Sequence, residues 1–262
     1  MTNDLSNELL LLVAKGEQAK AETILKKNTA LISELLVNGG DVTDYSGRKY
    51  TNISAFQYAL WALDTHMWRM ILHYLPKDQA VKEALKNQYL AVEKDGVSYE
   101  LRGEIHNNQH HFDGSTLTTA LQAYIANYDG WNWPQREEHW CGQVGMAQRD
   151  VPAHVAQEYC HPGRSFYPTP EFNEKTLERS LNFFNDTAGM EGVVDTWWPA
   201  SASASSGLGV DFGIWRERAD DGAHGVEACG RGKTAASIDL AAVTALCNVR
   251  TADLKEALGL LS

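Results

Sequence analysis

Apolar residues recur at helical spacing in one short segment after another along this chain, and glycine, proline or a capping residue ends each run. That punctuation restricts the fold to short helices packed around a shared core, with little room for sheet. In "NELLLLVAKGEQAKAETILKKN", Leu9, Leu12 and Val13 share a face, Gly16 interrupts it, and Ala19, Ala21 and Leu25 resume it. "NTALISELLVNGG" continues the pattern to the Gly39-Gly40 pair. The tract 41–53 reads as a hairpin or long turn with Ser46-Gly47 at its tip. Ser54 with Gln57 three residues later is a capping box, which predicts a helix burying Phe56, Ala59, Leu60 and Leu63. Thr65 is placed to cap the next helix, and Pro76 to end it.

Residues 79–94 form another amphipathic run, and "VSYELRGEI" alternates like a strand. A helix is predicted in "DGSTLTTALQAYIANYDGW", with Leu117, Leu121 and Tyr124 inward. Pro134 starts a further helix, "PQREEHWCGQVGMAQ", and "AHVAQEYC" another. "HPGRSFYPTPEF" reads as extended because it carries Pro162, Pro168 and Pro170, and "NEKTLERSLNFF" as a short helix. "ASASASSG" is a small-residue linker, "LGVDFGIWRER" a strand and "VEACGRG" its partner. Two helices close the chain, the second capped by Thr251. The expected class is α+β, predominantly helical, with ankyrin-like helix pairs at the N-terminus and a small antiparallel sheet or hairpin toward the C-terminus. An ankyrin array proper repeats every ~33 residues, and the units here lie farther apart. The expected division is a helical segment 1–76 and an α-rich segment 77–262, packed as one continuous unit.

Several function classes lose their footing on charge and motif. The chain carries a net charge of −11 with no basic stripe, which argues against nucleic-acid binding and adhesion to anionic lipid. The run Leu9–Ala14 follows Asp4 and Glu8 rather than a basic region, and it is far too short to span a bilayer. A protein neither exported by a signal peptide nor inserted in a membrane is expected. Cys141, Cys160, Cys229 and Cys247 form no C-x-x-C pair, so free thiols in a reducing cytosol are expected. Gly232-Lys233-Thr234 resembles the end of a phosphate loop, but Glu227 stands where the first glycine is needed. "GLGVDFG" likewise misses the dinucleotide spacing. No cofactor is expected.

Three groups remain as candidates. Cys160 and Cys141 are the candidate nucleophiles, with His154 and His161 as candidate bases. Cys160-His161 lies at a predicted helix C-terminus, where the dipole opposes a thiolate and where His161 and Arg164 serve instead as capping cations. Cys141 shares an apolar helical stripe with Trp140, Val144 and Ala147, the pattern of a core residue. His106, His110 and His111 could hold a metal, although the intervening Asn107, Asn108 and Gln109 read as a solvated polar turn. Trp131, Trp133, Arg164 and Phe166 are candidate binding residues, because aromatics and arginine supply the anchors of protein interfaces. With eight tryptophans and ten tyrosines, the chain also needs many aromatics simply to fill its core.

The blocks "DYSGRKYTNISAFQYALWALDTHMW", "VGMAQRDVPAHVAQEYCHPGRSFYPTPEF" and "LGVDFGIWRE…DLAAVTALCNVRTADL" resemble a module recurring in effector proteins of Legionella and related intracellular bacteria. The resemblance runs from about residue 5 to 260 and is most specific at 144–172. It departs at Leu177-Glu178-Arg179, where the module has Leu-Pro-Arg. The resemblance implies delivery by type IV secretion from the bacterial cytoplasm to the host cytosol, and it supplies no activity. The leading expectation is therefore an interaction or scaffold module that engages a host or bacterial protein. The alternative is a cysteine-dependent hydrolase or acyl transferase using Cys160 or Cys141 with a histidine.

Overall fold

A computed structural model describes residues 2–159, 161, 164, 166–179, 182–185, 190–193 and 232–261. The fold is α+β and predominantly helical, with a small antiparallel sheet among the helices. Two compact units divide the chain: residues 1–112 with 152–154 and 250–262, and residues 113–151 with 155–249.

The first unit opens with helices α1 (Thr2–Ala14), α2 (Gln18–Lys27) and α3 (Ile32–Val37), the last preceded by a single 3-10 turn. Strands β1 (Gly39–Thr43) and β2 (Lys49–Ser54) form the expected hairpin. Its turn closes on Asp44, whose carboxylate accepts the Arg48 main-chain N–H at 2.9 Å while its own N–H donates to the Arg48 carbonyl at 3.0 Å. Helix α4 (Ala55–Trp61) starts at the predicted capping box: Ser54 accepts from the Gln57 N–H, and Gln57 accepts from the Ser54 N–H. Helix α5 (Thr65–His73) is capped by Asp64, not by Thr65; the Asp64 carboxylate accepts the Met67 N–H, and Thr65 is buried inside the first turn. Helix α6 (Gln79–Asp95) leads into strands β3 (Val97–Leu101) and β4 (Glu104–Gln109). The sheet order is β1-β2-β3-β4, antiparallel throughout.

The apolar stripe of α1 is slightly rotated from its expected setting: Leu9, Leu10 and Val13 are fully buried, and Leu12 is half-buried. Helix α1 packs on α4 and β1, and the core is completed by Leu25, Leu36, Phe56, Leu60, Trp68 and Leu85. The polar tract "EIHNNQ" is strand rather than turn. Arg102 and Gly103 take positive φ and reverse the chain in two residues, so Glu104, Ile105 and His106 fall into register with Leu101, Glu100 and Tyr99. Cross-strand hydrogen bonding overrides the polar composition there.

The second unit holds α7 (Ser115–Asn127), α8 (Trp133–His139), a π-helical turn Trp140–Gly145, α9 (Met146–Arg149), and most of α10 (Ala153–Tyr159) and α11 (Lys233–Leu260). Leu117, Leu121 and Tyr124 face inward as predicted, as do Trp140, Cys141, Val144 and Ala147. Residues 171–179 form no helix. Side chains there are tied individually, Glu174 to Arg164 and Arg179 to Gln157, and Leu177 is buried. Residues 182–185 and 190–193 pair instead as a short antiparallel ladder of strands β5 and β6. The two expected closing helices are one: α11 runs 28 residues through Thr251, which is interior and caps nothing. The readings "ASASASSG", "LGVDFGIWRER" and, apart from its last glycine, "VEACGRG" lie outside the described residues.

Candidate functional site

The candidate catalytic residues do not assemble into a nucleophile and base among the described residues. Cys141 sits in the π-helical turn, 6% exposed, on the apolar stripe. The nearest sequence histidine, His139, is engaged elsewhere: its Nε2 lies 3.0 Å from the Ala120 carbonyl and its ring stacks on Tyr124. His154 is buried with Nε2 at 2.7 Å from the carbonyl oxygen of Ala62, which places its proton on that nitrogen and gives the imidazole a structural bond. Helix α10 ends at Tyr159, and the His161 main-chain N–H bonds back to the Glu158 carbonyl. Helix α10 therefore stops short of His161. Cys160 and Cys229 lie outside the described residues.

Arg164 and Phe166, expected as binding residues, are used inside the second unit. The Arg164 guanidinium pairs with the Glu158 carboxylate and, at 2.9 Å, with Glu174, and it lies 5.0 Å from the Phe172 ring centroid. Phe166 is 1% exposed and packs edge-on against Tyr159 and Phe172. The three histidines near β4 make separate contacts. His106 stacks on Tyr99 at 4.9 Å, His110 Nδ1 meets the Val92 carbonyl, and His111 Nδ1 the Phe112 carbonyl. No group of three or more His, Cys, Asp or Glu side chains is gathered for a metal among the described residues.

What remains at the surface of the second unit is an aromatic and arginine face around the start of α8. Asn132 and Gln135 form a capping box there, with Pro134 in the first turn, so the backbone between Trp131 and Trp133 is fixed. Trp133 is 54% exposed, and half-buried Trp131 stands 4.9 Å from the His139 ring and 6.2 Å from Tyr124. Arg136 sits over Tyr128, its guanidinium carbon 3.8 Å from the ring centroid and its Nε donating to the Tyr128 carbonyl. The π-helical turn that follows presses Trp140 edge-on against Tyr124 at 4.8 Å. An inserted residue of this kind is frequent at functional sites. Rigid aromatics with a preorganised arginine are the composition of binding hot spots.

One cluster was not anticipated. In the first unit the Arg48 guanidinium lies 5.4 Å from the Trp61 ring centroid and 5.3 Å from Tyr99, beside the Asp44 carboxylate. Tyr58 donates to the second oxygen of Asp44 at 3.2 Å, and Tyr50 meets Tyr58 and Trp61 edge-on. Burial pushes Asp44 above the usual carboxylate range, against the pull of Arg48, and pushes both Tyr50 and Tyr58 well up. The available signal was the pair Asp44 and Arg48 bracketing Gly47 in a hairpin turn. The aromatic partners come from distant elements and leave no trace in local spacing.

Residues 116–261 match the family described as the CBUA0006 C-terminal domain, and the chain belongs to that family. Over 266 aligned positions it is 43% identical to "Uncharacterized protein CBUA0006" of Coxiella burnetii, covering 95% of this chain and 73% of that protein. The kinship is with a protein of an intracellular bacterium. No solved structure matches. Among the described residues no helix is long and apolar enough to cross a membrane.

Proposed function

We propose that this chain is a bacterial effector module that binds a protein partner, host or bacterial, and that type IV secretion carries it from the bacterial cytoplasm to the host cytosol. The observation that carries this reading is the Trp131, Trp133, Tyr128 and Arg136 face. The backbone at Asn132 is held by a capping box, Arg136 is held over Tyr128 by a cation–π contact, and Trp133 is 54% exposed. An ankyrin-like scaffold role for the first unit is part of this proposal, and its support is the presence of two helix pairs, α1–α2 and α4–α5. The acidic surface favours a partner with a neutral or basic rim. The alternative, a cysteine-dependent hydrolase, receives less support: Cys141 is buried, and His139 and His154 are bonded to main-chain carbonyls.

The test is site-specific photo-crosslinking in host-cell lysate, with the reactive residue in place of Trp133 and, as a control, of Leu90. The expected result is a discrete adduct from position 133 alone, lost when Arg136→Ala is added. A smear, or identical adducts from both positions, would overturn the reading.

A further inference from the structure

We infer that the first unit carries a binding site for a neutral, hydroxyl-rich ligand, carbohydrate in class, in the cleft between α1 and the β1–β2 hairpin. The cleft measures about 510 Å³ and is lined by Asn3, Asn7, Asn38, Gly39, Gly40, Asp41 and Asn52. That volume falls within the range of small-molecule sites, about 300–1,000 Å³.

The cleft is built, not incidental. Asn3 and Asn7 are four residues apart on α1 and so share a face. The ladder between β1 and β2 is irregular between Gly40 and Val42, and opposite that point Asn52 takes a left-handed φ of 52°. Asparagine is the residue with a Cβ that adopts this conformation most readily, so the side chain at 52 suits the turn of the backbone there. Bulges of this kind re-aim side chains. Here the Asn52 main-chain N–H donates to Asp41 Oδ1 at 3.0 Å, which fixes that carboxylate at the cleft. A Cβ at Gly40 would collide with the Asn7 amide oxygen, so glycine is what lets Asn7 occupy its place.

The lining selects the ligand by elimination. Among the described residues the lining includes no lysine, arginine or histidine to meet a phosphate or carboxylate, and no aromatic ring to meet an apolar group. A single carboxylate is thin coordination for a calcium ion, which takes 6–8 oxygens, commonly with several carboxylates. The four amides each donate and accept, as a hydroxyl does, and one carboxylate can accept from two neighbouring hydroxyls. That is the polar complement of a sugar edge.

The test is a titration of the ¹⁵N-labelled full chain with maltotriose, N,N′-diacetylchitobiose and mannobiose to about 10 mM, a range that reveals millimolar dissociation constants. The asparagine side-chain NH₂ signals of Asn3, Asn7, Asn38 and Asn52 are followed. The expected result is saturable shifts at those signals with at least one oligosaccharide. Asn7→Ala and Asn52→Gly should each weaken it about three- to tenfold, the loss of one hydrogen bond. Asn52→Gly keeps the left-handed backbone and removes only the amide, so an unchanged backbone spectrum separates lost binding from lost folding. Absence of saturation with all three sugars overturns the assignment. So do shifts produced by inorganic phosphate or calcium chloride instead, or binding that survives both substitutions unchanged.

Discussion

Arg48 faces Asp44 at 3.6 Å with the two side chains only 5% and 2% exposed, so a full ion pair is closed inside the first unit. Removing one partner of a buried pair leaves the other charged in a poor solvent, at a cost of about 3–5 kcal/mol. Arg48→Ala should therefore lower the unfolding free energy by that amount, moving the urea midpoint down by that cost divided by the slope and leaving the slope unchanged. Arg48→Lys keeps the charge but not the plane that lies on Trp61 and Tyr99, and should recover only part of the loss. The pH dependence has a definite sign. Asp44 is raised in the folded state by burial, so its contribution is present below its ordinary 3.8 and is lost as pH rises through the folded value. Without Arg48 the folded value climbs further, so acid relieves the variant more than the parent. The gap between them should narrow from neutral pH toward about pH 4.5. A gap that widens would refute the pair.

Ser54 does more than its cap requires. Its Oγ accepts the Gln57 N–H at 3.0 Å and donates to Gln88 Oε1 at 2.7 Å, while Gln88 Nε2 reaches the carbonyls of Leu36 and Val37. One hydroxyl joins the start of α4 to α6, and through Gln88 to the end of α3. A cap alone is worth about 0.5–2 kcal/mol. Ser54→Ala also strips Gln88 of a partner, and should exceed about 2 kcal/mol in chemical denaturation. Gln88→Ala in the Ser54→Ala background should then cost less than in the parent.

The contrast between these two residues marks what the sequence could disclose. The Ser54–Gln57 box is a local pattern, written within four residues, and α4 begins where it says. The β1–β2 hairpin, the inward face of α7 and the apolar stripe through Cys141 were legible for the same reason. Partners such as Gln88 for Ser54, or Trp61 and Tyr99 for Arg48, lie on separate elements, and no period links them. Where local pattern and tertiary contact disagreed, contact prevailed. Thr251 looks like a cap, yet α11 continues through it; "NEKTLERS" looks helical, yet its side chains are tied one by one to other segments. Of the candidate site, Trp131 and Trp133 were readable as candidate binding aromatics. The setting of Arg136 over Tyr128 spans eight residues across a turn and was not.

Cys247 is an internal standard for thiol chemistry in this fold. Burial raises its pKa to about 11, with the Asp113 carboxylate adding to the effect. At neutral pH its thiolate population should fall about hundredfold below that of an ordinary cysteine. Alkylation by iodoacetamide, followed by peptide mass mapping, should leave Cys247 nearly unmodified at pH 8. Its rate should climb steadily as pH approaches 11. Because the folded value is raised, the stabilising contribution of the thiol is intact below its ordinary 9.0 and disappears as pH rises through about 11. Cys247→Ser should show a shallower alkaline loss of stability than the parent. Rapid labelling at neutral pH would contradict the burial.

The two carboxylates on Arg164 offer a graded comparison in the second unit. Glu158 is fully buried, while Glu174 is 26% exposed and bonds the same guanidinium from the solvent side. Water can replace Glu174 but not Glu158. Glu174→Ala should cost under about 1 kcal/mol, the value of an exposed pair. Glu158→Ala should cost about 3–5 kcal/mol, since Arg164 loses its interior anchor and α10 the side chain that ties its last turn to residues 164–174. Arg164→Ala should be markedly less costly in the Glu158→Ala background than in the parent, the mark of a shared interaction. Denaturant unfolding read by tryptophan fluorescence compares the parent with these four variants. Equal losses for the two glutamates would mean that solvent reaches the Glu158 side of the pair.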